Sequence, residues 1–321
     1  MLALLTFADS QGTSDKLWNG FTDSLLWQLH SRALALLTGG TEFRRASEKA
    51  REELRYAVRE LATRRISDEE LAAHFSQLPD RYYEIYTPKQ ILDDVELAHR
   101  FMHRLVVENQ RALAPVTAWI DERDRGYSLV KVCTWDRAGL FGKIAGSLSA
   151  VGLNIMGAQI FTRTDGIVLD TFFVNDGRTG GLAAREQREK FSGLLEQVLT
   201  GEAVNLHKLI GLQSTGRPAY SAYLGERIDT QIRFDNTVSD GRTLIEIETE
   251  DRLGLLHAIS QALAAQRLDI VAARVVTERG AALDNFYVRE LGGGQVLQSA
   301  RQAAVELALR AAIGQLDVNL G

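Results

Sequence analysis

Two stretches of this chain, WDRAGLFGKIA at 135–145 and EDRLGLLHAIS at 250–260, carry one pattern at a separation of 115 positions (250 minus 135). Alternating apolar runs, SLVKVCT and TLIEIET, precede them, and a second strand-like run follows each. Alternation with period two marks a half-buried strand, and apolar residues every three or four positions mark a helix face. A chain that writes strand, glycine turn and helix twice is committed to building one α/β unit twice. The pattern points to small-ligand sensing ahead of catalysis.

The copies align at offset 115 through Thr162/Thr277 and at 114 by Phe172/Phe286, a one-residue deletion in a hairpin turn, where length changes are tolerated. In the first copy the pattern predicts a strand at 127–134. A helix over 139–151 has Leu140, Ile144, Leu148 and Val151 on one face. A hairpin of 154–163 and 167–175 turns at Asp165-Gly166, and a helix covers 185–200. A polar stretch at 211–227 then leads to a strand, TQIRFDN, assigned to this copy. The second copy repeats the strand (242–249), helix (254–265), hairpin (269–277 and 281–290) and helix (295–313). Its last strand stays unassigned, because only DVNLG remains after the helix. The order strand-helix-strand-strand-helix-strand is the ferredoxin-like split βαβ arrangement.

Up to about residue 110 the pattern is helical. Residues 15–38 place Leu17, Phe21, Leu25, Leu29 and Leu36 at helical spacings, with Gly39-Gly40 as a stop. From 42 to 66, Ala46, Ala50, Leu54, Ala57 and Leu61 form a stripe among Arg, Lys and Glu, read as a solvated helix face. Ser67 followed by three acids starts a shorter helix, and Thr87-Pro88 launches another over 89–107. The polar run DERDRG at 121–126 is taken as the main boundary. The expected architecture is α+β, an all-helical N-terminal region followed by two ferredoxin-like βαββαβ domains. Its parts are a helical remnant at 1–40, a helical connector at 41–125, and the two domains at 126–238 and 239–321.

Composition narrows the class. A chain of 321 residues can bury two or three cores. A formal charge of -5 argues against nucleic acid as a partner. No apolar run approaches the roughly 18 residues of a membrane helix, so no membrane partner is expected. MLALLTFAD has no basic leader and does not read as a signal peptide, which makes the cytoplasm the expected location. Cys133, the single cysteine, lies in a predicted buried strand, which excludes an intramolecular disulfide and a multi-cysteine zinc site.

Strand, D-R-x-G-L, helix, and a next strand opening Asn-Ile or Asp-Ile together resemble the ACT domain, a regulatory amino-acid-binding module. Residues 136–140 and 251–255 carry the first motif; Asn154-Ile155 and Asp269-Ile270 carry the second. The tandem pair, with RFDN at 233–236 and Ser239 between the copies, is similar to the C-terminal end of the protein-PII uridylyltransferase and uridylyl-removing enzymes. LLTFADSQGTSDKLWNGFTDSLLWQLHSRA resembles the end of that family's HD phosphohydrolase domain and the helices after it. The family's nucleotidyl transfer needs a Gly-Ser turn and paired aspartates holding magnesium. This sequence has no Asp-x-Asp, and Gly146-Ser147 lies inside a predicted helix. The hydrolase needs a His…His-Asp…Asp metal cluster, of which only Asp9 corresponds, as a last ligand. The resemblance therefore implies no cofactor in this chain. Mg2+ or another divalent metal belongs to the complete enzyme, and the chain is not expected to be active alone.

An amino-acid ligand carries an ammonium and a carboxylate. Backbone N–H groups around Ala138, Gly139 and Leu140 can bind the carboxylate at a helix N-terminus, and Asp136 can pair with the ammonium. Asn154, followed by Ile155, offers both a donor and an acceptor. The second copy would do the same with Asp251, Leu253, Gly254, Leu255, Asp269 and Ile270, although Asp269 when ionised only accepts. Alternatively, Asp136 and Asp251 cap their helices and the glycines serve the turn. The two copies are not expected to be equivalent, and the first is favoured. His99 and His103 have the spacing of a helical metal pair but no supporting ligand pattern, so packing or surface roles are expected of them. Trp18 and Trp27 are read as helical packing, and Cys133 as an inert core thiol.

The resemblance implies an amino-acid sensor, with glutamine as ligand, in a region regulating a PII-modifying enzyme. Two other readings stand beside it. One is a split active enzyme, with protein PII as substrate and a catalytic partner chain supplying the absent domains. The other is a ligand-independent ACT scaffold that makes a homodimer through sheet edges left open by an incomplete second copy.

Overall fold

The repeated units assemble one antiparallel sheet. The structure, a computed structural model, describes residues 41–62, 65–106, 113–213, 228–237, 241–278 and 280–318. Asp9, Trp18, Trp27 and the helix expected at 15–38 lie outside the described residues. The chain divides into two compact units, one formed by the residues up to Arg100 with Arg123–Arg125 and Arg163–Asp165, the other by the rest.

The described residues begin with four helices: α1 (Thr41–Leu61), α2 (Asp68–Gln77), α3 (Asp80–Ile85) and α4 (Pro88–Val106). Local chemistry sets their starts. Ser67 Oγ accepts the Glu70 N–H at 3.1 Å while the Glu70 carboxylate accepts the Ser67 N–H at 2.9 Å, a reciprocal cap for α2. Thr87 Oγ1 accepts the Gln90 N–H at the start of α4. Inside this unit Leu71, Phe75, Tyr82, Ile91 and Val95 are buried. A polar chain threads them: His74 Nε2 donates to Tyr82 Oη at 3.0 Å, and Tyr82 donates to Asp94 at 2.7 Å. His99, weighed above for metal spacing, is bonded to Glu70 at 2.6 Å.

The second unit holds strands β1 (Val116–Glu122), β2 (Tyr127–Trp135), β3 (Leu153–Gln159), β4 (Ile167–Asp176), β5 (Gln231–Asp235), β6 (Thr243–Glu250), β7 (Leu268–Glu278) and β8 (Ala281–Glu290). Helix α5 (Leu140–Ala150) lies between β2 and β3, and α6 (Arg185–Thr200) and α7 (Leu206–Gln213) follow β4. The second copy has α8 (Leu255–Ala265) and α9 (Ser299–Val318). The sheet order is β1-β2-β4-β3-β7-β8-β6-β5, all antiparallel.

Two departures from the expected layout share one cause. The boundary placed at 121–126 is a hairpin turn, closed by the Gly126 N–H on the Glu122 carbonyl, and Val116–Glu122 before it pairs with β2. TQIRFDN, assigned above to the first copy, is β5 and pairs with β6 of the second. Each copy thus fills the outer edge of its ferredoxin-like sheet with a strand that precedes the repeat. The strand sought after the last helix is not needed, because its slot is already taken by β5.

The duplication extends to fine structure. Both β3 and β7 shift register at equivalent points, between Ile155 and Gly157 and between Ile270 and Ala272. The sheets join where Gln159 pairs with Arg274, its own equivalent, so the seam lies on a local two-fold axis. One core runs through both copies, and Phe141 binds them: its ring lies 5.9 Å from Phe172 in its own copy and 6.1 Å from Phe286 in the other. Above the seam α5 crosses α8. A Cβ on Gly146 would lie 2.4 Å from His257 Nδ1, and one on Gly142 would lie 2.8 Å from Ser260 Cβ. The missing side chains let His257, which stands at the position equivalent to Gly142, donate from Nδ1 to the Gly142 carbonyl at 2.9 Å. Burial holds the His257 imidazole below its ordinary pKa, which favours this neutral tautomer.

Among the described residues no helix is long and apolar enough to cross a membrane.

Candidate functional site

The D-R-x-G-L turn divides its labour the same way in both copies. The glycines are the helix N-caps, at φ 73 for Gly139 and 87 for Gly254, a left-handed conformation that glycine adopts without steric cost. No side chain caps α5 or α8, so Asp136 and Asp251 are not capping residues. The arginines tie the turn to the module's second helix. Arg137 donates to the Leu199 carbonyl at 3.0 Å, and Arg252 to the equivalent Ile313 carbonyl at 3.4 Å. Leu199 lies in the last turn of α6, where a cation satisfies a free carbonyl and complements the dipole, whereas Ile313 lies within α9. These contacts leave the aspartates available.

Asp251 uses that freedom across the seam. Its Oδ2 accepts from Asn154 Nδ2 at 3.3 Å and from Thr277 Oγ1 at 3.2 Å. Asn154 lies at the start of β3 of the first copy, so the amide expected to join Asp136 around a ligand in its own copy instead meets the other copy's turn. Leu253 reaches in the same direction, its Cδ1 3.7 Å from where a Cβ on Gly177 would sit. Burial raises the Asp251 carboxyl to about 6, against the Asn154 and Thr277 bonds and the Arg252 charge, which favour its ionised form. Beneath it lies Asp284, 1% exposed, with neither carboxylate oxygen in a well-formed hydrogen bond. Burial, reinforced by the Asp251 charge, holds the Asp284 pKa well above the carboxylate range. Asp170 is its equivalent in the first copy, likewise buried and raised, but it accepts the Phe161 N–H at 3.3 Å. Nothing in the repeat motif marks these two aspartates; their signal is an acid at an inward position of a strand otherwise apolar on that face.

The other expected residues are distributed differently. Asp136, Ala138 and Gly139 are exposed, and Leu140 is buried in the core. Asp269 is committed to Arg289, its cross-strand neighbour, at 2.9 Å. The equivalent pair in the first copy is Asn154 with Asn175, both buried. Ile155 is buried and Ile270 packs against the common core. The structure therefore gathers Asn154, Asp251, Leu253 and Thr277 at one junction. Among the described residues no group of three or more His, Cys, Asp or Glu could hold a metal ion.

No protein-family model matches the chain. Among solved structures, aspartate kinase from Synechocystis is similar at a TM-score of 0.34 and 13% identity, over 60% of this chain and 28% of that one, too slight to bear on the fold. Curated proteins match far better. The bifunctional uridylyltransferase/uridylyl-removing enzyme of Gluconobacter oxydans is 31% identical over 330 residues, covering 99% of this chain and 32% of the relative. Its namesake in Rhodospirillum rubrum is 31% identical over 320 residues, and that of Nitrobacter hamburgensis 32% over 321, each again matched over 32% of its length. The chain thus spans about a third of the relatives it matches, and over nearly its whole length it belongs to the family of bifunctional uridylyltransferase/uridylyl-removing enzymes.

Proposed function

We propose that the tandem ACT pair is the amino-acid sensor of a uridylyltransferase/uridylyl-removing enzyme, with glutamine as its ligand. The observation that carries this reading is Asp251, held by Asn154 and Thr277 from two copies at the mouth of a helix N-terminus. A ligand whose ammonium meets Asp251 and whose carboxylate meets the first turn of α8 would bridge the copies. It would favour the arrangement in which Asn154 and the 251–255 turn are close, and a shift in that equilibrium is what reaches an attached catalytic part. The first copy's turn lacks a matching amide, because Asp269 stands where Asn154 does and is tied to Arg289.

The catalytic activities, protein PII as their substrate and a divalent metal as their cofactor are proposed for the complete enzyme, in the cytoplasm. For the scaffold reading, β5 fills the slot expected to stay open in the second copy, so pairing with another chain would fall to β1 and β5, the outer strands of the sheet.

Calorimetric titration tests the sensor. Glutamine is expected to bind at one site per chain, and Asn154→Ala to weaken it by roughly tenfold, the value of one lost hydrogen bond to a charged group. Absence of heat with glutamine and with the other amino acids would sink the reading.

A further inference from the structure

The two helix-start turns are equivalent in sequence, but only one is covered. Around Gly139 nothing lies within 4 Å of the position a Cβ would take. At Gly254, Ile210 Cγ2 lies 2.8 Å from that position, and Gly254 is buried. Ile210 belongs to α7, which follows the second helix of the first copy and is capped at its start by Asn205 Oδ1 accepting the Lys208 N–H at 2.9 Å. The second copy has no described counterpart, because α9 runs to Val318.

The attachment of α7 is slight. Its buried side chains, Leu206 and Ile210, join Ala150 and Val198 in a small apolar cluster separate from the core shared by both copies. Leu206 also closes over Gly146. A short helix held by Leu206 and Ile210, with Leu209 partly buried on the same small cluster, can leave without unmaking the sheet, and local opening of this kind costs far less than global unfolding.

We propose that α7 is a removable cover over the ligand end of α8: Ile210 occupies the approach to Gly254, and the bound amino acid displaces it. This rests on the sensor reading above and adds a competition within the chain. The ligand's apparent affinity is lowered by the fraction of molecules in which the cover is seated, so the second copy's turn is regulated and the first copy's is not.

Two variants of the full chain test it. Ile210→Ala removes the side chain over Gly254; Lys208→Gly weakens the helix at an exposed position without touching a buried contact. Hydrogen–deuterium exchange without ligand is expected to rise about tenfold at the amides of 254–257 in Ile210→Ala and about fivefold in Lys208→Gly, with 139–142 unchanged. Both variants are expected to bind glutamine more tightly by similar factors, and glutamine is expected to speed exchange across 206–213 in the unmodified chain. Unchanged exchange at 254–257 in both variants would overturn the cover. Faster exchange with unaltered or weaker glutamine affinity would overturn the competition alone. No glutamine binding by any of the three proteins would bring down the sensor reading and the competition with it.

Discussion

The strands β2 and β6 are the same strand in two settings. On the face toward the helices they agree closely: Ser128, Val130, Val132 and Thr134 match Thr243, Ile245, Ile247 and Thr249, and all are buried. On the opposite face they part. Leu129, Lys131 and Cys133 are buried, while Glu246 and Glu248, equivalent to Lys131 and Cys133, remain partly exposed and Glu250, equivalent to Trp135, is exposed. Phe101 of α4 packs on Trp135 with ring centroids 5.6 Å apart. Leu244, equivalent to Leu129, is buried as well, so β2 is buried along both faces while the opposite face of β6 opens from Glu246 onward. The lesson is that the repeat conserves the side that makes the sheet's core and frees the other side to diverge.

A reciprocal exchange gives the largest effect and tests that contrast directly. Cys133→Glu puts an unpaired charge at a position of 0% exposure, and chemical denaturation should show a loss of about 3–5 kcal/mol. Glu248→Cys should stay within about 0.5 kcal/mol, as surface changes usually do. Similar losses from both would mean that the two faces are not differently solvated.

The seam gives the next. Gly146→Ala forces a methyl against His257 and Leu206, and a loss of about 1–3 kcal/mol is expected. In a double-mutant cycle with His257→Ala much of that loss should be recovered, because the clash partner has gone. Full additivity in thermal or denaturant unfolding would show that α5 and α8 do not meet there.

The smallest effect separates the two turns by pH. Burial pushes the Asp251 carboxyl up to about 6, so glutamine affinity should climb as pH rises from 5 to 7 and the carboxylate that meets the ammonium forms. Asp251→Asn should flatten the profile and cost on the order of tenfold at pH 7, whereas Asp136→Asn should leave it unchanged. Stability runs the other way. The folded pKa lies above the unassociated value of 3.8, so the folded form holds the extra proton between the two. The contribution of Asp251 to stability is present below about 4 and lost as pH rises to about 6. A glutamine profile unaltered by Asp251→Asn would put the ammonium elsewhere.

The sequence itself carried everything encoded within a few neighbouring residues. The capping of α2 by Ser67 and Glu70, the start of α4 at Thr87-Pro88, the helical faces of α5 and α8 and the glycines of both turns follow from short-range sterics and periodicity. The burial of Cys133 was legible from the apolar run around it. VTAWIDE at 116–122 also bore a strand signal, alternating with β-branched and aromatic residues, but the polar turn after it read as a boundary.

What only the tertiary structure decided is partnership. TQIRFDN could have paired with either copy, since an edge strand needs only a free row of backbone groups, and the short connection to β6 chose the second. Asn154 meets Asp251 across 97 positions of chain because the seam lies on a two-fold axis, which brings the start of β3 to the other copy's turn. The same geometry places Ile210 on Gly254 and leaves Gly139 bare. Two turns written alike are therefore made different by what packs on them, a property no local pattern carries.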